Sequence, residues 1–206
     1  MTFPSGWGAP EKRHLDRLCS WTDVPDDGAK YFSGTATYKK LVDGSWIVGS
    51  GNHQTPTNTR IILDLGAVRE FAEVTVNGVS YPVLWKPPFR VDITDAACQP
   101  PTTNYQLPTT NYQLDISIRV TNLWPNRLIG DEHLPSDREW TPGRNWLKEI
   151  PDWVKQGERS PTGRHTFTTW HHWTKDDKLL PSGLLGPVVL RQVRFVDANE
   201  AERKVK

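Results

Sequence analysis

Phe71–Trp85, with the sequence FAEVTVNGVSYPVLW, decides the fold class of this 206-residue chain. Its first half alternates apolar and polar residues, the period-two pattern of a strand with one buried face. Asn77 and Gly78 then supply two residues that tolerate positive φ, as a type I′ hairpin turn requires. The segment therefore predicts two antiparallel strands joined by a tight turn. Pro82 has no N–H to donate, which places the second strand at a sheet edge or at a bulge.

The same alternation recurs along the chain, and its clearest example is LDISIRV at Leu114–Val120. Further strands are predicted at Tyr31–Tyr38, Thr59–Leu65, Phe89–Ile93, His165–Trp173 and Val188–Val196. Helical patterns are short and are confined to Lys12–Trp21 and Arg144–Lys155. Hairpin signals without βαβ alternation predict an all-β, antiparallel, jelly-roll-like β-sandwich of about eight strands.

The length allows one domain or at most two small ones, and the lack of a linker pattern predicts a single domain over residues 1–206. Residues 1–28 are an N-terminal lead-in, and Gly130–Pro161 is a long irregular insertion. A seven-residue sequence, PTTNYQL, occurs twice in tandem, at Pro101–Leu107 and Pro108–Leu114. An odd insertion inside a paired strand would turn every later side chain to the wrong face. The first copy is therefore predicted to be an exposed loop.

Composition excludes several classes of function. The net charge of +1 gives no electrostatic footprint for nucleic acid or a membrane surface. No apolar run is long enough to span a bilayer, and the first ten residues have no signal-peptide pattern, so the localisation stays open.

The pairing of Cys19 and Cys98 also stays open. Ten tryptophans are several times ordinary usage, and they either fill the core or stack on sugar rings.

Several sequence motifs follow one another along nearly the whole chain. They are KYFSGTATY at Lys30–Tyr38, VNG at Val76–Gly78, LWKPPFRVDIT at Leu84–Thr94, VTNLWPNRLIGD at Val120–Asp131, TFTTW at Thr166–Trp170 and LLPSGLLGPV at Leu179–Val188. With these motifs the chain resembles the C-terminal β-sandwich of glycoside hydrolase family 106, whose members are mostly α-L-rhamnosidases.

The resemblance implies a galactose-binding-domain-like sandwich, a carbohydrate ligand and a periplasmic or secreted setting. It also implies a catalytic-domain partner, because in that family the acid and base carboxylates lie on a separate, larger domain. Those positions have no counterpart in this chain.

Trp124–Asp131 is the most site-like segment of the sequence. Trp124 offers a ring face, and Asn126, Arg127 and Asp131 offer polar groups for sugar hydroxyls. Trp170 and His172 complete the candidate carbohydrate-binding set. In the alternative interpretation Arg127 pairs with Asp131, and Trp124 covers the open end of the sandwich.

A catalytic role would need two carboxylates on either side of a glycosidic bond. Glu132, Glu139 and Glu158 are the candidates, although acidic residues in this insertion equally fit a solvated loop. The histidine spacing does not predict a zinc site. No cofactor is expected, and a structural calcium ion is the one metal considered, with Asp92 and Asp95 as candidate ligands. The alternative is that these two aspartates cap the turn after Phe89–Ile93.

Three hypotheses about function remain from the sequence. The first is an accessory carbohydrate-binding module that acts on rhamnose-containing plant or algal polysaccharides. The second is a small stand-alone glycoside hydrolase that uses the carboxylates of the insertion. The third is a purely structural module that needs a catalytic partner domain.

Overall fold

The structure, a computed structural model, describes residues 1–47, 58–98 and 112–195. The strands in these ranges are β1 Thr35–Asp43, β2 Thr59–Asp64, β3 Ala67–Arg69, β4 Phe71–Val76, β5 Val79–Ser80, β6 Arg90–Asp92, β7 Gln113–Thr121, β8 Gly183–Gly186 and β9 Val189–Arg194. The helices are α1 Asp27–Lys30, α2 Thr94–Cys98, α3 Pro125–Asp131 and α4 Asp152–Lys155, and a 3₁₀ turn covers Trp21–Asp23. The fold is an all-β sandwich, as predicted.

The strands form three antiparallel sheets, with the orders β1-β7-β4-β5, β6-β2-β9 and β3-β8. The alternating residues of β7 and β4 face a common core, as the sequence pattern predicts. Their buried members are Ala72, Val74, Val76, Leu114, Ile116, Ile118 and Val120. Ile61 and Leu63 of β2 join the same apolar cluster from the second sheet. Burial of these aliphatic side chains is the main favourable contribution to the stability of the sandwich.

The predicted hairpin is confirmed at Asn77 and Gly78, which have φ values of 49° and 83°. The returning strand is shorter than predicted, because β5 ends at Ser80. Pairing with β4 resumes only as an isolated bridge between Ala72 and Leu84. Pro82 lies in this interruption, where its lack of an N–H costs no ladder hydrogen bond.

Residues 12–20 do not form the predicted helix. The N-terminal segment instead folds back on itself, with a bridge between Thr2 and Lys12, and it pairs with β1 through Thr2 and Thr37. Only Trp21–Asp23 makes a helical turn. The Arg13 N–H donates to the Met1 carbonyl, so the backbone at the start of the predicted helix pairs with the first residues of the chain instead.

Trp21 fixes the start of the chain to the end of the sandwich. Its side chain is fully buried, and its indole Nε1 donates a 2.6 Å hydrogen bond to the Tyr38 hydroxyl. The Trp21 backbone N–H donates to the Ser182 carbonyl just before β8, and the Leu184 N–H donates to the Tyr38 hydroxyl. Burial raises the pKa of Tyr38, so this hydroxyl keeps its proton at neutral pH.

The prediction of a strand at His165–Trp173 is wrong. All residues of the irregular segment from Glu132 to Ser182 are described, and α4 is the one helix or strand among them. The N–H groups of His165 and Thr166 donate to the carboxylate of Asp131 rather than to a neighbouring strand. A side chain therefore takes the donors that a sheet ladder would need.

Three further features concern membrane spans, sulfur chemistry and the tandem repeat. None of the helices in the described ranges has the length and apolar character needed to cross a membrane. Cys19 and Cys98, which both lie in these ranges, are not joined by a disulfide. The predicted loop at Pro101–Leu107 lies outside the described residues.

Candidate functional site

The corner after β7 is built on α3, a helix that the sequence analysis did not predict. Pro125 occupies its first turn, where a proline costs no hydrogen bond. The helix divides the candidate residues between two faces. Trp124 and Glu132 flank α3 on its accessible side, whereas Asn126, Arg127 and Asp131 point into the protein.

Asn126 joins α3 to the segment before β8. Its side chain is 1% exposed, and its amide nitrogen donates to the Leu180 carbonyl at 2.7 Å and to the Ser182 hydroxyl at 2.9 Å. Its amide oxygen accepts a hydrogen bond from the Leu180 N–H. The Asn126 side chain already makes three hydrogen bonds within the protein. A sugar hydroxyl that bound Asn126, as predicted, would have to replace one of them.

Asp131 organises the irregular segment from the buried face of α3. Its Oδ2 accepts hydrogen bonds from the His165 N–H, the Thr166 N–H and the Thr166 hydroxyl, at 2.9, 2.7 and 2.7 Å. Its Oδ1 lies 3.7 Å from Arg127 Nη1. An ion pair between Arg127 and Asp131 is what the alternative, structural interpretation of Trp124–Asp131 predicts. Both side chains are buried, so an incoming sugar does not reach them without local opening.

The Arg127–Asp131 pair is incompletely satisfied. Within the described residues, Arg127 Nη2 and Asp131 Oδ1 have no hydrogen-bond partner. Burial lowers the pKa of Arg127, and the charge of Asp131 opposes this effect. Burial and the nearby positive charge of Arg127 also lower the pKa of His165, so its ring is neutral at pH 7.

An open cleft of about 540 Å³, which we call the Trp7 cleft, lies between the N-terminal segment and the start of β1. It is lined by Thr2, Phe3, Pro4, Trp7, Phe32, Ser33, Gly34, Thr35, Thr37, Arg119 and Trp124. Trp124 is 54% exposed and Trp7 is 39% exposed. Trp7 stacks on His165 with ring centroids 6.0 Å apart, which holds its indole in place.

A second open cleft, of about 390 Å³, lies at the C-terminal end of α3, and we call it the Glu132 cleft. It is lined by Leu128, Glu132, Phe167, Thr168, Thr169, Trp170, His171, His172 and Trp173. The cleft brings together three of the predicted site residues, Glu132, Trp170 and His172. It combines aromatic walls with a few polar groups, which is the usual composition of a small-molecule site.

The Glu132 carboxylate is held by two neighbours. Its Oε1 accepts a 2.8 Å hydrogen bond from Arg164 Nη1, and its Oε2 lies 3.1 Å from His171 Nε2. Arg164 also donates to the carbonyls of Leu134 and Pro135, so the guanidinium is itself fixed. A carboxylate has about four acceptor positions. Glu132 therefore retains capacity to accept hydrogen bonds from sugar hydroxyls.

Aromatic residues brace the walls of the Glu132 cleft. The His171 ring stacks on Trp140 with centroids 5.0 Å apart, and Trp170 makes an edge contact with Trp146. Trp170 remains 50% exposed, so a ring face stays available to a ligand. His172 makes an edge contact with Trp173 next to it.

The three predicted acidic candidates do not converge. Among the described residues that line the Glu132 cleft, Glu132 is the one carboxylate. Glu139 is exposed and pairs with Lys148 at 2.7 Å, and Glu158 is exposed. The described part of the cleft therefore does not hold the two carboxylates that glycosidases use.

The two aspartates considered for calcium lie elsewhere, around the start of α2. Asp92 accepts hydrogen bonds from the Thr94 N–H and hydroxyl and lies 3.6 Å from Arg60. For Asp92, these contacts are those that the capping alternative predicts. In the described ranges no group of three or more His, Cys, Asp or Glu side chains is placed to hold a metal ion.

Three features of the two clefts could not be predicted from the sequence: Trp7, Arg164 and the contact of His171 with Glu132. Trp7 lies in a Gly- and Pro-rich segment with no periodic pattern, so nothing in its neighbourhood indicates an exposed ring. Arg164 and His171 meet Glu132 across 32 and 39 residues of irregular chain. The signal that was available is the proline at the first turn of α3, which starts the helix that carries Glu132 at its end.

The chain has relatives among enzymes that act on glycosides. No family model matches it. It is 43% identical over 188 residues to a Formosa agariphila protein named "Putative beta-glucuronidase", in a match that covers 91% of this chain and 14% of that protein. A solved rhamnosidase from Novosphingobium sp. PP1Y matches with 31% identity and a TM-score of 0.61, over 93% of this chain and 14% of that chain.

These matches support a glycoside-hydrolase-related module. The chain spans only about one seventh of the length of either relative. The narrower resemblance to the C-terminal domain of family 106 stays a prediction.

Proposed function

We propose that this chain is an accessory β-sandwich module of a glycoside hydrolase and that it contacts carbohydrate through the Glu132 cleft. The observation that carries the proposal is that two groups line the same cleft. One is the half-exposed indole of Trp170, and the other is the Glu132 carboxylate, which Arg164 and His171 hold in place. An indole face stacks on the C–H surface of a sugar ring, and a fixed carboxylate accepts hydrogen bonds from its hydroxyls. Both groups are positioned before a ligand arrives, which lowers the entropic cost of binding.

The proposed ligands are rhamnose-containing plant or algal polysaccharides. The name of the Novosphingobium relative supports this choice, since it is called a rhamnosidase. The cleft supports a sugar in which hydroxyls face Glu132 and an apolar edge faces Trp170. Rhamnose has both, because its 6-deoxy carbon is a methyl group next to ring hydroxyls.

The residues that line the Glu132 cleft fit carbohydrate binding better than they fit hydrolysis of a glycosidic bond. Both retaining and inverting glycosidases place two carboxyl groups on either side of the scissile bond. The described lining of the Glu132 cleft offers one, and Arg164 and His171 already engage it. The hypothesis of a small stand-alone hydrolase therefore has less support than that of a binding module.

Replacing Trp170 with alanine is expected to weaken binding of a rhamnose-containing oligosaccharide by about thirtyfold. Removal of an aromatic side chain that a bound ligand would cover costs about 2 kcal/mol, which corresponds to that factor. Isothermal titration calorimetry with rhamnose, rhamnogalacturonan oligosaccharides and ulvan oligosaccharides measures the change. The substitution is expected to leave the fold intact, because Trp170 is half exposed.

Trp85→Ala is the matched control, since Trp85 is an exposed tryptophan outside both clefts. Its binding curve should overlay that of the unsubstituted protein. If none of the three carbohydrates gives heat with the unsubstituted protein, or if Trp170→Ala binds as tightly, the proposal fails.

A structural module that packs against a catalytic partner domain is the second candidate. It is favoured by Val79, Val83 and Trp85, which are exposed along the β5 edge of the large sheet. Apolar side chains exposed together on one edge are typical of a surface that meets another domain. This candidate expects no heat with any carbohydrate in the same calorimetry.

A further inference from the structure

The Trp7 cleft opens on the outer face of the large sheet. Thr35 and Thr37 alternate with buried residues in β1, and Arg119 does the same in β7. Side chains at alternate positions of a strand point to opposite faces of the sheet, so these three point away from the core. All three line the cleft. The cleft floor is therefore built partly from regular sheet, which holds these side chains at fixed spacings.

Four polar side chains form one row across this face. Thr2 of the N-terminal segment pairs with Thr37 of β1. Thr37 in turn lies opposite Arg119 of β7, which lies opposite Glu73 of β4. Residues directly opposite one another on neighbouring strands share a face of the sheet. Since neighbouring strands are about 4.8 Å apart, the row is roughly 14 Å long.

The two charges in this row offset each other. Arg119 Nη1 donates a 2.8 Å hydrogen bond to Glu73 Oε2, and both side chains are about half exposed. A guanidinium has several N–H donors, so this one hydrogen bond leaves donors of Arg119 for a ligand. Because a positive and a negative group lie side by side, the row favours neutral hydroxyl groups, which both donate and accept, over an anion.

Two partly exposed indoles, those of Trp7 and Trp124, line the same cleft. The stacked ring of His165 holds Trp7 in place and covers only one face of its indole. Aromatic walls with a few polar groups are the usual composition of a small-molecule site. A sugar ring matches this combination, because it carries apolar C–H surface together with hydroxyl groups.

We propose that the Trp7 cleft is a second carbohydrate site, which binds a neutral sugar ring. The indoles of Trp7 and Trp124 contact the C–H surface of the ring, and Thr37 and Arg119 bind its hydroxyls. The described lining residues of this cleft and of the Glu132 cleft have no member in common. The site therefore goes beyond the proposed function, and each cleft can be tested by itself.

Nuclear magnetic resonance of the indole N–H groups observes the two clefts separately. In protein labelled with ¹⁵N, the variants Trp7→Phe, Trp124→Phe and Trp170→Phe identify the three indole signals by the one that each removes. The probes are the neutral methyl glycosides of rhamnose, glucose and galactose. At least one of them is expected to shift the signals of Trp7 and Trp124 along saturable curves. The same shifts should remain in Trp170→Ala, and the signal of Trp85, which lies outside both clefts, should not move.

Variants test the named contacts, with affinity measured from the Trp7 signal. Trp124→Ala is expected to weaken binding at this site by about tenfold, because it removes one of the two ring surfaces. Arg119→Gln keeps much of the length of the side chain but lacks the guanidinium donors, and it should weaken binding by about fivefold. Trp85→Ala is the control and should bind as the unsubstituted protein does.

A pair of sugars tests the preference for a neutral ligand. Methyl galactoside and methyl galacturonide differ only in the carboxylate that replaces one hydroxymethyl group. The galacturonide should bind no more tightly than the galactoside, since Glu73 offsets the charge of Arg119. If it binds at least about tenfold more tightly, and Arg119→Gln removes that difference, the cleft is an anion site and the assignment to neutral sugars is wrong.

The outcomes separate this inference from the proposed function. If sugars shift the Trp170 signal alone, or if Trp170→Ala abolishes the shifts of Trp7 and Trp124, the second site is wrong and the Glu132 cleft keeps its support. If the signals of Trp7 and Trp124 shift but that of Trp170 does not, the second site is supported and the proposal for the Glu132 cleft fails. If none of these signals shifts with any sugar, both proposals fail.

Discussion

Asp131→Ala is expected to lower the free energy of unfolding by about 3–5 kcal/mol, because it removes one partner of a buried ion pair. The substitution leaves the buried guanidinium of Arg127 without its counter-charge. It also removes the acceptor of three hydrogen bonds from His165 and Thr166. Since native domains are stable by about 5–15 kcal/mol, a loss of this size is large. Urea denaturation followed by tryptophan fluorescence measures it.

Two companion variants separate the causes of this loss. Asp131→Asn keeps an oxygen that can accept from the Thr166 N–H but removes the charge, so it should lie between alanine and the unsubstituted protein. Asp152→Ala removes an aspartate whose ion pair with Lys155 is exposed, and it should cost less than about 1 kcal/mol. A loss below about 1 kcal/mol for Asp131→Ala would show that Asp131 does not organise the irregular segment.

Gly183→Ala is expected to cost about 3 kcal/mol or more, because the new methyl group has no space. A Cβ at this position would lie within 2.8 Å of three atoms of the Trp21 indole. Trp21 is fully buried and hydrogen-bonded to Tyr38, so the ring has little room to move. Overpacking costs about 1–3 kcal/mol, and the φ of +96° at Gly183 adds about 1–2 kcal/mol for a residue with a Cβ. Thermal and urea unfolding measure the total.

Gly163→Ala is the control for the backbone contribution. Gly163 has a similar φ of +81°, but no atom lies within 4 Å of the position that a Cβ would take there. The substitution should therefore cost only about 1–2 kcal/mol. Equal losses at the two glycines would mean that contact with Trp21 contributes nothing at Gly183.

The sandwich could be predicted from the sequence where strands have one buried face. Leu114–Val120 and Phe71–Val76 alternate cleanly, because their outer faces are polar and their inner faces meet the core. Asn77-Gly78 could also be predicted, since few other residue pairs accept two positive φ values in succession. These are local rules, and each is satisfied within a few residues of the chain.

The site was harder to predict because its contacts are long-range. Trp124–Asp131 is site-like in sequence, but no pattern in it predicts that a helix turns Asn126, Arg127 and Asp131 inward. The apparent strand at His165–Trp173 failed for a related reason, since a distant carboxylate takes its first N–H donors. No local pattern indicates that donors at residues 165 and 166 will be satisfied by residue 131.

The N-terminal segment has a consequence for how copies of the protein meet one another. β1 is the first strand of the large sheet, and a strand in this position presents unpaired backbone groups to which a strand of another molecule can add. Thr2 and Thr37 exchange two backbone hydrogen bonds, at 2.8 and 2.9 Å, on that open side of β1. The segment therefore occupies the start of this edge, where it blocks the addition of a strand from another molecule, and Thr2 and Thr37 also line the Trp7 cleft.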